Sequence, residues 1–311
     1  MPPESLMAQA FKPLLRLPLE LRQHVYRIYF SSLNLTYPHF SQPPLLSSSR
    51  QLREESLPLY WQNARFSFQG TKHLVDFLCS IDQSSLSNLR HISVCGFPLP
   101  LYPDDVDLSG YITFSLNYVL LLFPGLQLAT FEVKDPYHGD GVGEDGWGHN
   151  ATYVTVESLI QSQGFKELIY TVAHDRFFTP VSFTSYGVGS QPKTETTGRD
   201  PQPSTWDAMI KARDGAESGA AVTMYRLLHD SKRRVPLKTA FETVQTEDEE
   251  KAEGQIEIRV KRGRGVDYVQ KGAEPDEWGQ RLLEMFKDST WKEILGEGRY
   301  VDAEDDPTAH L

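Results

Sequence analysis

The sequence predicts a mixed α+β/α/β protein: an N-terminal helical motif, a repeat-like α/β body and a C-terminal helix and strand extension. Three observations predict it. Apolar residues recur at helical spacing over residues 14–30 and again over 45–60, the signature of helices with one face turned to a core. Between residues 89 and 172 three short apolar sets, each behind a helical segment, repeat at intervals of 37 and 39 residues. Alternating helices and strands imply a parallel sheet with right-handed crossovers. Beyond residue 204 an alternating run, QIEIRV, and an amphipathic segment complete the chain.

The 311 residues can form one large domain or two small ones. A hydrophobic fraction of 39% with 20 Pro and 22 Gly predicts a true core interrupted by loops. The formal charge of −11 argues against general nucleic-acid binding, which needs a basic face. Cys79 and Cys95 sit in apolar runs, where buried reduced thiols are expected, and they form no disulfide or zinc pattern. MPPESLMAQAFK lacks the basic and long apolar parts of a secretory leader. The most apolar run, Tyr118 to Phe123, stops at Pro124-Gly125, far short of the roughly 20 residues that cross a bilayer. The expectation is an intracellular chain, cytoplasmic or nuclear, with neither membrane nor nucleic acid as partner.

Residues 1–12 read as a flexible N-terminus, and 13–69 as the helical motif with a first strand. In LLRLPLELRQHVYRIYF, Pro18 suits a first helical position, where its missing N–H costs nothing. Glu20 complements the positive end of the helix dipole. Leu17, Leu21, Val25 and Ile28 form an apolar face, with Arg22, Gln23 and Arg27 on the other side. Burying those four side chains is worth roughly 1.5–3 kcal/mol each, which requires a second element. LLSSSRQLREESLPLY supplies it: Leu45, Ser49, Leu52, Ser56 and Tyr60 follow one face, Arg50 and Glu54 pair along it, and Pro58 ends or kinks the helix. The link TYPHFSQPP is not helical, and ARFSF reads as a strand.

LPLELRQHVYRIYF followed by LLSSSRQLREESLPLYWQNARFSF resembles an F-box-like family abundant in filamentous fungi. The family pattern is LPxELRxxIY, then LLxxCRQxRxEALPLYY, then NxFxF, and the likeness covers residues 14–68. The resemblance implies that Leu17, Pro18, Leu21 and Val25 dock on the adaptor subunit of a cullin–RING ubiquitin ligase, and that the rest of the chain presents an unidentified protein substrate. Arg22 stands where typical F-boxes carry an aliphatic residue, and Ser49 where the family often has Cys. A proline-rich segment replaces the middle of the motif.

Residues 70–185 form the predicted body. Its apolar sets are Leu89, Ile92 and Val94; Leu126, Phe131 and Val133; and Phe165, Leu168, Tyr170 and Val172. Each follows the spacing L-x-x-L-x-L, with Ala129 as the weak member of the second set. TKHLVDFLCSI, ITFSLNYVLLLF and YVTVESLIQSQ supply the preceding helices. The spacing resembles leucine-rich repeats with long units, a body that in F-box proteins commonly captures the substrate.

The stretch 135–150, DPYHGDGVGEDGWGHN, gathers Asp135, His138, Asp140, Glu144, Asp145 and His149. These are oxygen and nitrogen donors that suit a metal, but their spacing fits neither a calcium loop nor HExxH. It reads as a solvated Gly-rich insertion. His174-Asp175 in AHDRFF has no identifiable nucleophile. GVGEDG and YGVGS supply no nucleotide fingerprint. No catalytic residue, metal site or cofactor is assigned, and the chain reads as a non-enzymatic protein-interaction module. Two other readings stand beside it: a structural or interaction protein that never meets the ligase, and a metal-dependent enzyme using the Gly/Asp/His loop.

Residues 186–204 read as a linker, and 205–295 as helices and a strand packed back on the body. STWD opens a helix running to about residue 229. Residues 243–255 read as a mobile acidic segment. Trp278, Leu282, Met285 and Phe286 mark an amphipathic helix, TWKE starts a short one, and 296–311 reads as a disordered tail. The basic runs 231–234 and 259–264 read as solvated faces, with nuclear import or phosphate contact as the alternatives.

Overall fold

Residues 12–102, 112–135, 147–172, 181–185, 193–197, 202–227, 234–237, 255–272 and 275–300 are described by the computed structural model. The central element is an eight-stranded sheet. Its strands are β1 (Asn34–Thr36), β2 (Arg65–Phe68), β3 (His91–Cys95), β6 (Leu128–Lys134), β7 (Phe165–Val172), β10 (Ala221–Leu227), β11 (Arg234–Leu237) and β12 (Gln255–Lys261). They lie in the order β1-β2-β3-β6-β7-β12-β10-β11. The first five are mutually parallel, as the alternation of strands and helices predicts, and the last three join antiparallel. Two smaller antiparallel pairs accompany it, β4 (Leu99–Leu101) with β5 (Ile112–Phe114), and β8 (Val181–Ser185) with β9 (Lys193–Thr197).

Register explains the core. Phe66, Ile92, Phe131, Leu168, Val260 and Val222 are successive cross-strand partners, and Phe68, Val94, Val133, Tyr170, Ile258 and Met224 form the next row. Every one of these side chains is buried. Against them lie α5 (Thr71–Ser80), α7 (Leu116–Leu121), α8 (Trp147–Gln161) and α9 (Ser204–Asp214), which add Leu74, Val75, Val119, Leu120, Val156, Leu159, Ile160 and Ile210 to the same core. Strand side chains alternate between faces, and the intervening residues, among them Arg65, Ser93, Glu132, Ile169, Arg259 and Thr223, are half-buried or exposed. Parallel sheets are ordinarily covered on both faces. This one has a covered apolar face and a polar face that is mostly accessible, with Glu257 buried on it.

Several expectations are corrected. The second apolar set is led by Leu128, which pairs with Phe165, rather than by Leu126. Ala129 is therefore a spacer, and the intervals become 39 and 37 residues. The second helix is two: α3 (Pro44–Ser48) and α4 (Arg50–Asn63). Ser49 is extended between them, and its hydroxyl accepts from the Leu52 N–H at 3.2 Å, capping α4. Pro58 lies inside α4 without ending it. It and Glu54, whose carbonyl loses its helical donor, are both exposed, so water can satisfy the orphaned oxygen. ITFSLNYVLLLF begins with β5 before its helix, and part of the predicted linker is β9.

The helix opened by STWD ends at Asp214, where Gly215 turns the chain with φ 98°, and β10 follows. Cys79 is exposed and Cys95 half-buried, so neither is a fully buried thiol. In the basic run 259–264, Arg262 is no solvated side chain: it is buried and pairs with buried Asp214 at 2.7 and 2.8 Å. β12 pairs with β7, and α10 (Glu277–Asp288) and α11 (Trp291–Gly296) pack against the body. Buried Trp291 donates its Nε1–H to Asp76 on α5 at 2.6 Å. Among the described residues, no helix is long and apolar enough to cross a membrane.

Candidate docking face

The N-terminal motif opens with α1 (Lys12–Leu15), a turn, and α2 (Leu19–Ser31). Pro18, with φ −51° and ψ 151°, precedes the first helical residue, and Glu20 sits in the first turn. Two stripes run along α2. Tyr26 and Phe30 are completely buried. Phe30 meets the ring of Tyr60 on α4 edge to face, with centroids 5.4 Å apart. The second stripe faces outward: Leu17 is 37% exposed, Leu21 53%, Val25 41% and Ile28 60%.

This reverses the expected orientation. The apolar face read from the spacing is turned to solvent, and Arg22, expected on the solvent side, points to α4. Its guanidinium pairs with Glu55 through two bonds, Nη2 to Oε1 at 2.7 Å and Nε to Oε2 at 2.8 Å. Tyr26 Oη donates to Glu55 Oε2 at 3.1 Å, and Gln51 Nε2 to Oε1 at 2.9 Å. Arg22 Nη1 also donates to the Leu17 carbonyl at 2.7 Å, holding the turn ahead of Pro18. Burial disfavours the Glu55 charge, yet the bonds from Arg22, Gln51 and Tyr26 outweigh it and hold the carboxyl below its usual range. Burial and the Glu55 carboxylate push the Tyr26 phenol up to about 12.

Each of the four residues expected to dock, Leu17, Pro18, Leu21 and Val25, is exposed. Ile28, the fourth member of the aliphatic face, is exposed as well, as are His24 and Arg27. Sequence reasoning missed the Arg22–Glu55–Tyr26 anchor. The available signal was Arg22, Tyr26 and Phe30 at successive four-residue steps, a second stripe competing with the aliphatic one.

Most of the other candidate residues lie beyond what the structure describes. His138, Asp140, Glu144 and Asp145 lie outside the described residues, as do AHDRFF and the acidic segment apart from Gln255. Asp135 is buried, its Oδ2 accepting from Thr152 Oγ1 at 2.7 Å and Tyr170 Oη at 3.0 Å. That carboxylate joins β6, α8 and β7. Among the described residues, no three His, Cys, Asp or Glu side chains are placed to hold a metal. Compared with protein-family models, curated proteins and solved structures, the chain finds no match.

Proposed function

We propose that this chain is a non-enzymatic protein-interaction module that docks through the outward face of α2, and that its partner is the adaptor subunit of a cullin–RING ubiquitin ligase. One observation carries the reading. Leu17, ahead of α2, and Leu21, Val25 and Ile28 at helical spacing along it are all exposed, while the opposite side of the helix is locked by Phe30 and the Arg22–Glu55 pair. A preorganised stripe loses little freedom on binding, so more of its burial appears as affinity. The adaptor is named on the F-box-like pattern of residues 14–68. The same reading treats the body as repeat-like and leucine-rich-repeat-like. Leu128 and Phe165 lead equivalent units in direct register, with Ile92, Phe131 and Leu168 in the row behind.

The test is titration of the purified adaptor subunit into the full chain and into the variant Leu21→Asp, Val25→Asp. Both side chains are about half exposed, so the variant is expected to lose no more than about 1–2 kcal/mol of stability, read from its denaturant midpoint. Wild-type binding that weakens by about a hundredfold or more in this variant supports the reading. A wild-type chain that fails to bind refutes the adaptor assignment and leaves the stripe for a different protein.

A further inference from the structure

The open face of the sheet has a charge pattern opposite to the chain as a whole. The alternate positions of its strands carry Arg65, Lys134, Arg234, Arg259 and Lys261 against Glu132, Glu167 and Glu257. Five cations thus face three carboxylates in a chain of formal charge −11. All three carboxylates are occupied. Arg65 holds Glu132 at 3.1 Å. Arg259 lies 2.6 Å from Glu257 and 3.4 Å from Glu167, and Arg234 adds a 2.8 Å pair to Glu257. Lys134 and Lys261 are exposed and, among the described residues, without a carboxylate partner. His91 adds no positive charge near neutral pH, because burial, Arg65 and Arg90 lower its pKa.

Register fixes the separation of the two free lysines. Lys134 is opposite Thr171 on β7, and Lys261 is opposite Glu167 on the same strand. Four residues along a strand and two strand spacings across give about 16 Å between their backbone positions. An extended polypeptide covers that span in about five residues. Half-buried Ile169, Thr171 and Tyr225 and exposed Thr223 lie on the same face, with an apolar contact and hydroxyls for an extended backbone.

We propose that this open face binds an extended acidic polypeptide segment of a second protein, its carboxylates spanning Lys134 and Lys261. The proposal is independent of docking through α2. The probe is a fluorescent peptide of about 12 residues alternating Glu and Thr, which puts its carboxylates on one side when extended. The control replaces Glu by Gln. Anisotropy is read with the full chain at about 50 mM and about 300 mM NaCl, where screening separates charge-driven from apolar binding.

The expected result is binding of the Glu peptide that weakens with salt, with the Gln peptide at least about tenfold weaker. Lys134→Glu with Lys261→Glu should weaken the Glu peptide by about tenfold or more, and Lys134→Gln with Lys261→Gln should fall between, both at unchanged unfolding midpoints. Leu21→Asp, Val25→Asp should bind the peptide as wild type does, whatever it does to the adaptor. Three results would each overturn the proposal: no binding at low salt, equal binding by the double charge reversal, or tighter binding of a single-stranded oligonucleotide or an anionic vesicle than of the Glu peptide.

Discussion

Phe30→Ala and Ile28→Ala, two residues apart on α2, should differ sharply in their cost to stability. Phe30 is completely buried against Tyr60, whereas Ile28 is 60% exposed. Truncating a buried Phe removes its transfer free energy, leaves a cavity and ends the aromatic pair, so Phe30→Ala should cost about 3–5 kcal/mol. Ile28→Ala removes a side chain that water already reaches, and Ala is the better helix former by a few tenths of a kcal/mol. Its effect should lie within about 0.5 kcal/mol of zero. Urea titration followed by circular dichroism reads both, provided the slope with denaturant stays constant so that the midpoint reports stability. If Ile28→Ala costs about 2 kcal/mol or more and Phe30→Ala less than about 1 kcal/mol, α2 is turned the other way, its aliphatic stripe is core, and the docking reading fails with it.

Asp214→Ala should destabilise the chain by about 3–5 kcal/mol, because it leaves buried Arg262 without its carboxylate; Arg262→Met in the same background should recover part of the loss in a double-mutant cycle. Gly96→Ala should cost about 1–3 kcal/mol in the same titration, since its new Cβ would sit 2.8 Å from Val133 Cγ1 and 3.0 Å from Leu116 Cδ1, both buried. Burial works against the charges of Asp214, Glu257 and Glu55, but bonds from Arg262, from Arg234 and Arg259, and from Arg22 outweigh it, so all three folded pKa values are lowered. Their contribution is complete above the unfolded values of about 4 and is lost as pH falls through the lower folded ones. Unfolding free energy should decline on acidification below about pH 5, and Glu257→Gln should flatten that decline; an unchanged slope would refute the assignment.

The strands of the body were legible because each buries one face, so period-two alternation survives in the sequence at ARFSF, HISV, FEV, LIYTV and QIEIRV. Register was less legible. Leu126 and Leu128 are both completely buried, and only the pairing of Leu128 with Phe165 distinguishes the leading residue from its neighbour. A cross-strand partner is not local information. The predicted helix to residue 229 failed for a local reason that was available: Gly215 and Gly219 both take positive φ, and AVTMYRL alternates as a strand does. The basic run 259–264 failed for a non-local one, since nothing near Arg262 announces that Asp214 will lie opposite it.

The orientation of α2 depends on Arg22. A helix bearing an aliphatic stripe and an aromatic stripe can bury either, and local periodicity does not choose between them. Tyr26 and Phe30 favour one orientation by area, and Arg22 selects it because its two bonds to Glu55 exist only when that side faces α4. An aliphatic residue at position 22 would add area without direction. In this chain the arginine supplies the direction, and the exposure of Leu21, Val25 and Ile28 is the geometric consequence of that bond. Glu55→Gln keeps the shape but removes the charge that makes the pair strong, so it should loosen the hold on α2 before it unfolds the body. Amide hydrogen exchange should then rise in residues 19–31 while β6 and β7 keep their protection; a uniform rise across the chain would show that the pair supports the whole fold rather than the pose of this helix.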